Sequence, residues 1–516
     1  MPKLEVRINL PVFLGAATLV LFFVGYSLVA LESMQAHIKI TTDFINSYFS
    51  WLYIGGLNFF LLVCVFILFS RFGRIRLGGP NAVSEFSDLS WFAMLFSAGV
   101  GIGLLFYGLG EPILHLASPP VEGVQPLSTE AADMGFKISF LHWGVHGWGL
   151  YCLVGLALAY FHLNRKLPLT ISSAFYPLLG DRVRGPIGSF VDMLAVVATL
   201  FGVATSLGMG VMQVNAGLSH MFGISDTVGV KIALIGGITL AATISVVSGI
   251  GHGIRRLSEI TVGLGIALLL FVFVMGPTAD ITSGLVHSLG GFISEFPQLA
   301  LSLETTDNKS WMSGWTIFYW GWWIAWSPFV GMFIARISKG RTIRQFVMGV
   351  LFVPALFSFV WISVLGRGAL GAINGGADHL LTEIQNNLPV GLYKLLELYP
   401  FASISCFMAL VVVITFFVTS SDSGSFVIDM ITSGGDPNPP VWQRVFWSFM
   451  EGAVAAVLLL SGGLGALQAG SIASALPFCL VLVVMVFCLL KALSQDALEA
   501  IPSEKAAKRD ESPSLS

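Results

Sequence analysis

The sequence predicts an all-α integral membrane protein with twelve transmembrane helices. Two totals and one asymmetry carry that expectation. Of its 516 residues, 55% are hydrophobic and only 11% charged, against about 25% charged in an ordinary soluble domain, and the mean hydropathy is +0.84. The apolar residues gather in runs of about twenty, each long enough to cross a hydrocarbon core of about 30 Å. The basic residues gather between alternate runs, a distribution that says more than the net charge of -3.

The runs fall at 11–31, 48–70, 90–109, 137–162, 187–212, 229–248, 258–276, 314–335, 344–367, 398–420, 441–461 and 466–490. The first follows Lys3 and Arg7 and lacks a small-residue cleavage site, so it reads as a helix that is kept. Segment 280–300 is amphipathic and rich in Gly and Ser; it is expected to lie along the membrane surface. With the N-terminus cytoplasmic, only Lys39, Lys137, Lys231, Lys309, Arg367 and Lys394 fall outside the inner segments, as the positive-inside rule requires. The C-terminus is then cytoplasmic too. The tail, 492–516, is short and polar and is expected to be disordered, with Pro502 and Pro513 breaking any long helix. Cys64, Cys152, Cys406, Cys479 and Cys488 all lie in apolar runs and read as small buried hydrophobes.

Residues 319–341, YWGWWIAWSPFVGMFIARISKGR, hold four tryptophans in seven positions beside a basic edge. At helical spacing Tyr319, Trp322, Trp323, Trp326, Phe329 and Phe333 share one face. An interfacial aromatic belt accounts for Trp311 and Trp315. It does not account for Trp326, ten residues before Arg336 and therefore about 15 Å into the core. Packing in the protein interior is one reading of this face. The other is a cation-binding surface, since an indole face is worth about 0.5–2 kcal/mol to a cation. A quaternary ammonium has no N–H to donate, so an aromatic cage is the chemistry that recognises it.

A second aromatic group, Trp143, Trp148 and Tyr151, lies in FLHWGVHGWGLYCLVGLALAY, interleaved with Gly144, Gly147 and Gly149. Glycines there admit a neighbouring helix or a ligand. His142 and His146 have the i, i+4 spacing of a metal pair, but no carboxylate or cysteine stands near them in the sequence; neutral, hydrogen-bonded histidines are expected. In WFAMLFSAGVGIGLLFYGLGEP, Gly99, Gly101, Gly103, Gly108 and Gly110 crowd one span. They suit either close helix packing or an unwound midpoint whose backbone faces a substrate and an ion. Thr419, Ser420, Ser421 and Ser423 end an apolar run beside Asp422. They suit helix capping or oxygen ligation of a hard cation.

Together these segments resemble the betaine/carnitine/choline transporter family over essentially the whole chain. YWGWWIAWSPFVGMFIARISKGRTIRQF is close to that family's signature, and GVGIGLLFYGLGEP, HWGVHGWGLY and FFVTSSDSGS match its other motifs in order and spacing. The resemblance implies a LeuT-like five-plus-five inverted repeat over spans three to twelve, with two extra N-terminal helices. The corresponding divisions are 1–89, 90–278 for the first repeat, 279–313 for the surface helix and linker, 314–491 for the second repeat, and 492–516. It also implies a homotrimer in the bacterial inner membrane, in contact with lipid, and no cofactor beyond a coupling ion.

By the same resemblance, Trp143, Trp148, Tyr151 and Trp323 would box a trimethylammonium group, with Trp322 and Trp326 along the substrate path. The backbone of Gly99, Gly101 and Gly103 would meet a carboxylate. One Na⁺ site would use the carbonyls of Ser97, Val100 and Phe416 and the hydroxyls of Thr419 and Ser420; Thr199 and Phe329 would belong to a second. Proton-coupled choline carriers tend to have Asp where this chain has Gly103, and Na⁺-independent carnitine exchangers place Met where it has Val330. Both positions favour Na⁺-coupled uptake of a zwitterion such as glycine betaine. Dimethylsulfoniopropionate, choline or carnitine, proton coupling and substrate/product exchange remain the alternatives. Osmotic regulators of the family carry a long charged C-terminal helix, so this short tail implies weak osmotic activation. The sequence offers no nucleophile–base set for an enzyme, no charged ring or repeated pore loop for a channel, and nothing that suits nucleic acid.

Overall fold

A computed structural model describes residues 8–99, 101–248, 251–302 and 309–510, with side chains described except at 96–100, 245–258 and 497–510. Among the described residues the chain is helical, and the one strand-like pairing is an antiparallel bridge between Arg76 and Thr342. The N-terminal part holds α1 (Leu10–Val29), α2 (Leu31–Tyr48) and α3 (Ser50–Phe69). The third apolar run is broken into α4 (Asp88–Gly99), α5 (Ile102–Tyr107) and α6 (Gly110–Ala117). The fourth is α7 (Thr129–Trp143) and α8 (Val145–Ala159), interrupted at Gly144. Then come α9 (Tyr176–Leu179), α10 (Pro186–Phe222), α11 (Val228–Ser248), α12 (Gly251–Met275) and α13 (Thr278–Leu301). The rest is α14 (Lys309–Met312), α15 (Phe318–Ile337), α16 (Ile343–Asn374), α17 (Asp378–Asn386), α18 (Gly391–Glu397), α19 (Ala402–Thr432) and α20 (Val441–Asp510).

Eight of the described helical segments are long and apolar enough to cross a membrane, and the bent pair α12–α13 would make nine. The twelve expected runs exceed that number for local reasons. The third is split around Gly101, whose backbone is extended (φ -136°, ψ -179°). In α11 and α12 the side chains of 245–258 lie outside the described residues, so the sixth and seventh runs are described only in part. The last two runs both fall in α20, whose backbone breaks at Gly462 (φ 159°, ψ 21°) and Gly463 (φ 61°, ψ -136°), where they were expected to part. The segment expected to lie along the membrane surface is α13, which turns 107° away from α12. Helix α2, for which no element was expected, follows α1 directly and buries Met34 and Ile45.

The core is built by α10 against α19 and α20, and by α15 against α8 and α20. The α8–α15 crossing is set by two glycines. A Cβ on Gly331 would lie 2.6 Å from Val154 and 3.0 Å from the Gly155 nitrogen, and one on Gly155 would lie 3.2 Å from the Gly331 oxygen. Only bare backbone allows that approach, and it brings the two aromatic groups face to face. The basic edge fastens the C-terminal end of the tryptophan helix. The Arg341 guanidinium meets the Asp88 carboxylate, donates to the Phe86 carbonyl at 2.7 Å and lies 4.9 Å over the Trp91 ring. Arg336 lies 5.4 Å over Phe426 of α19.

The five cysteines are free and buried, as the apolar runs require. The tail departs from expectation: α20 continues through Pro502 to Asp510. Glu499, Ala500, Glu504, Lys505, Ala506, Ala507 and Lys508 are good helix formers, and Glu504 precedes Lys508 at the favourable i, i+4 spacing. These preferences outweigh one proline.

Candidate functional site

The tryptophan face of α15 and the aromatic end of α7–α8 close around one buried cavity. Gly101, Gly103, Trp143, Trp148, Tyr151, Trp322, Trp323 and Trp326 all line it. It is large enough to hold water. The rings pack at distances typical of aromatic pairs. Trp322 stacks on Trp323 at 4.7 Å and 17°, Trp143 meets Trp323 edge-on at 5.0 Å, and Trp148 meets Tyr151 edge-on at 5.4 Å. Trp326 continues the stack from Trp322 at 6.1 Å, with Phe329 5.4 Å beyond it. The N–H of Trp323 donates to the His142 carbonyl at 2.9 Å, a bond made possible by the interruption of the helix at Gly144.

Gly103 belongs to this wall for a steric reason. A Cβ there would stand 2.4 Å from Trp322 and 2.9 Å from Trp143. Gly103→Ala is therefore expected to push both rings off their rotamers, at an overpacking cost of about 1–3 kcal/mol. Substrate affinity, measured by tryptophan-fluorescence titration, should fall with it. An unchanged affinity would mean that the rings yield freely.

Two helix segments hold the cage from outside through a carboxylate that the sequence analysis overlooked. Glu111 of α6 is fully buried. Its Oε2 accepts from the Tyr319 hydroxyl at 2.6 Å and from Trp143 Nε1 at 2.9 Å. Its Oε1 lies 2.6 Å from His142 Nδ1, and His142 Nε2 lies 3.0 Å from the Thr316 hydroxyl. His115, one turn along α6, places Nε2 3.6 Å from Oε1. The expectation that no carboxylate stands near His142 is thus corrected: Glu111 is distant in sequence and arrives through the fold. The three ligand atoms of Glu111, His115 and His142 lie within 4.8 Å of one another. A metal ion could sit there only by displacing the bonds just named, so the cluster reads as a scaffold tying α6, α7 and α15. An acid inside a bilayer protein is a functional candidate by default, and that was the signal available in GLGEP. His146 fits the neutral reading, 3.2 Å from Asn58 Oδ1 and stacked on Phe296 at 5.2 Å.

The residues expected to hold Na⁺ are described only in part. Thr419 donates its hydroxyl to the carbonyls of Thr415 and Phe416 at 3.0 and 3.2 Å, and Ser420 follows it, half-buried. Thr199 donates to the Ala195 carbonyl at 2.7 Å on its own helix. Gly99 ends α4. Val100 lies outside the described residues, as do the side chains of Ser97 and Gly99.

A family model described as "BCCT, betaine/carnitine/choline family transporter" matches residues 11–498. The chain belongs to the betaine/carnitine/choline transporter family. It is a membrane transporter and not an enzyme. The transporter is 43% identical over 486 residues to glycine betaine transporter 1 of Vibrio parahaemolyticus, covering 92% of each chain. It is 42% identical over 487 residues to the glycine betaine transporter OpuD of Bacillus subtilis, covering 94% of each. With the glycine betaine transporter of Acinetobacter baylyi it shares 40% identity over 506 residues, 98% of this chain and 76% of that one.

Proposed function

We propose that this transporter takes up glycine betaine together with Na⁺, by alternating access. The observation that carries the reading is the aromatic cavity, where Trp143, Trp148, Tyr151 and Trp323 face a space with no Lys or Arg among the described residues of its lining. A trimethylammonium group would be held by ring faces, and its carboxylate by backbone N–H groups of the interrupted third span. Curated relatives named as glycine betaine transporters support the choice of substrate. Thr419 and Ser420 beside Phe416 would hold one Na⁺, and Thr199 and Phe329 would help hold a second. The twelve spans, the two inverted repeats, the trimer and the inner membrane with both termini cytoplasmic belong to the same reading.

Two Na⁺ moving with a neutral zwitterion would supply about 4.6 kcal/mol at 100 mV, enough for more than a thousandfold accumulation. The test is uptake of radiolabelled glycine betaine into proteoliposomes with and without an inward Na⁺ gradient, competed by choline, carnitine and dimethylsulfoniopropionate. Na⁺-dependent accumulation is expected. Na⁺-independent uptake that needs substrate inside would mean an exchanger. Uptake of a competitor alone would replace the substrate and keep the cage.

A further inference from the structure

A second polar site lies between α19 and α20, away from the aromatic cavity. Glu451 is fully buried. It stands ten residues into α20, about 15 Å along the helix from its start and so near the middle of the hydrocarbon core. Its Oε2 accepts from the Ser425 hydroxyl at 2.9 Å and from that of Ser421 at 3.5 Å. Ser448 joins through Ser425 at 3.0 Å. The other carboxylate oxygen, Oε1, is buried with no hydrogen-bond partner. It faces the bare backbone of Gly424, where a Cβ would lie 3.3 Å from it. All three serines are at most 1% exposed.

No cationic side chain among the described residues neutralises this carboxylate. The charged groups acting on Glu451 are Asp429 and Asp422 of α19, both acidic. Arg444, on its own helix, acts on those two aspartates and lies 5.8 Å over Phe426. The other helices packed here bring apolar or neutral groups: Val203 of α10 against Gly424, and Thr239 of α11 against Gly452. An uncompensated buried carboxylate is strongly unfavourable, so the group must take up either a proton or a metal cation from solution.

We propose that Glu451, with the hydroxyls of Ser421, Ser425 and Ser448, binds one Na⁺ at a site separate from that of Thr419 and Ser420. The donor set is all oxygen, which suits a hard cation. Serine hydroxyls can rotate to offer lone pairs in place of protons. A proton fits less well: placed on Oε1 it would have no acceptor, and the convergence of three hydroxyls would be left without a role. The site lies about one turn inward of Thr419 on the same helix, so its occupancy would bear on how α19 moves against α10 and α20.

The test needs no transported substrate and so stands apart from the identity of the solute. ²²Na⁺ binding to the purified full-length transporter would be measured for wild type, Glu451→Gln, Ser425→Ala and Thr419→Ala, with K⁺ as competitor control. Melting temperature without Na⁺ would report folding. Glu451→Gln should lose one bound Na⁺ per chain, or need about tenfold more Na⁺ for the same occupancy, while Thr419→Ala keeps the Glu451-linked ion. Ser425→Ala, the milder change, should weaken the same ion if Glu451→Gln proves unstable. Wild-type Na⁺ binding in both Glu451→Gln and Ser425→Ala would overturn the proposal. So would unchanged Na⁺ binding with a lost pH dependence of uptake in Glu451→Gln, because the occupant would then be a proton. Loss of Na⁺ binding in Thr419→Ala alone would overturn the Glu451 site and leave the proposed function standing.

Discussion

Trp323→Leu is expected to raise the half-saturating concentration of glycine betaine by at least about tenfold. One indole face is worth up to about 2 kcal/mol to a desolvated cation, which is close to thirtyfold in affinity. Trp323 has no substitute in the wall: it stacks on Trp322, meets Trp143 edge-on, and is held by the His142 carbonyl. Leucine keeps apolar volume and removes the quadrupole, so the substitution separates cation recognition from packing. Uptake kinetics in proteoliposomes and the melting temperature in detergent should be read together. Trp323→Tyr, which restores a ring face, should recover part of the affinity. If Trp323→Leu melts earlier but its folded fraction transports with the wild-type half-saturation, the face is packing and the cage reading fails.

Glu111→Ala is expected to cost about 3–5 kcal/mol of stability, the usual penalty for removing one member of a buried polar pair. It strands His142 Nδ1 and the Tyr319 hydroxyl proton in a buried site and leaves Trp143 Nε1 only its 3.3 Å bond to that hydroxyl, and each orphaned group costs about 1–3 kcal/mol. Glu111→Gln keeps an acceptor of the same length, so it should retain more stability than alanine. Thermal unfolding of the purified transporter checks both. Wild-type stability in the alanine variant would mean that the cluster carries no structural weight. Substrate affinity should fall alongside, because Trp143 and Tyr319 lose the group that fixes their tips.

Much of this molecule was legible before its structure. Hydrophobic runs are a one-dimensional signal, because a bilayer demands about twenty apolar residues in succession. They located α1, α3, α10, α15, α16 and α19 to within a few residues at one or both ends. The aromatic faces were legible for the same reason: helical periodicity fixes which residues share a side. The interruption at Gly101 was one of two readings that the repeated glycines left open, close helix packing being the other. Less was legible at the ends of elements. The continuation of α20 through Pro502 depended on a competition among weak propensities, and α2 carries too little apolar character to stand out.

By itself the sequence determined the helical class, the approximate limits of most apolar runs, and the two aromatic groups on their faces. Only the tertiary structure decided which faces meet. Gly155 against Gly331 brings α8 and α15 close enough for indoles from both to share one cavity. Glu111 reaches His142 and Tyr319 across 31 and 208 positions of chain, and Glu451 reaches Ser425 across 26. Local spacing cannot encode such pairings, because a buried charge is satisfied by whatever the fold places within about 3 Å, however far along the chain it lies.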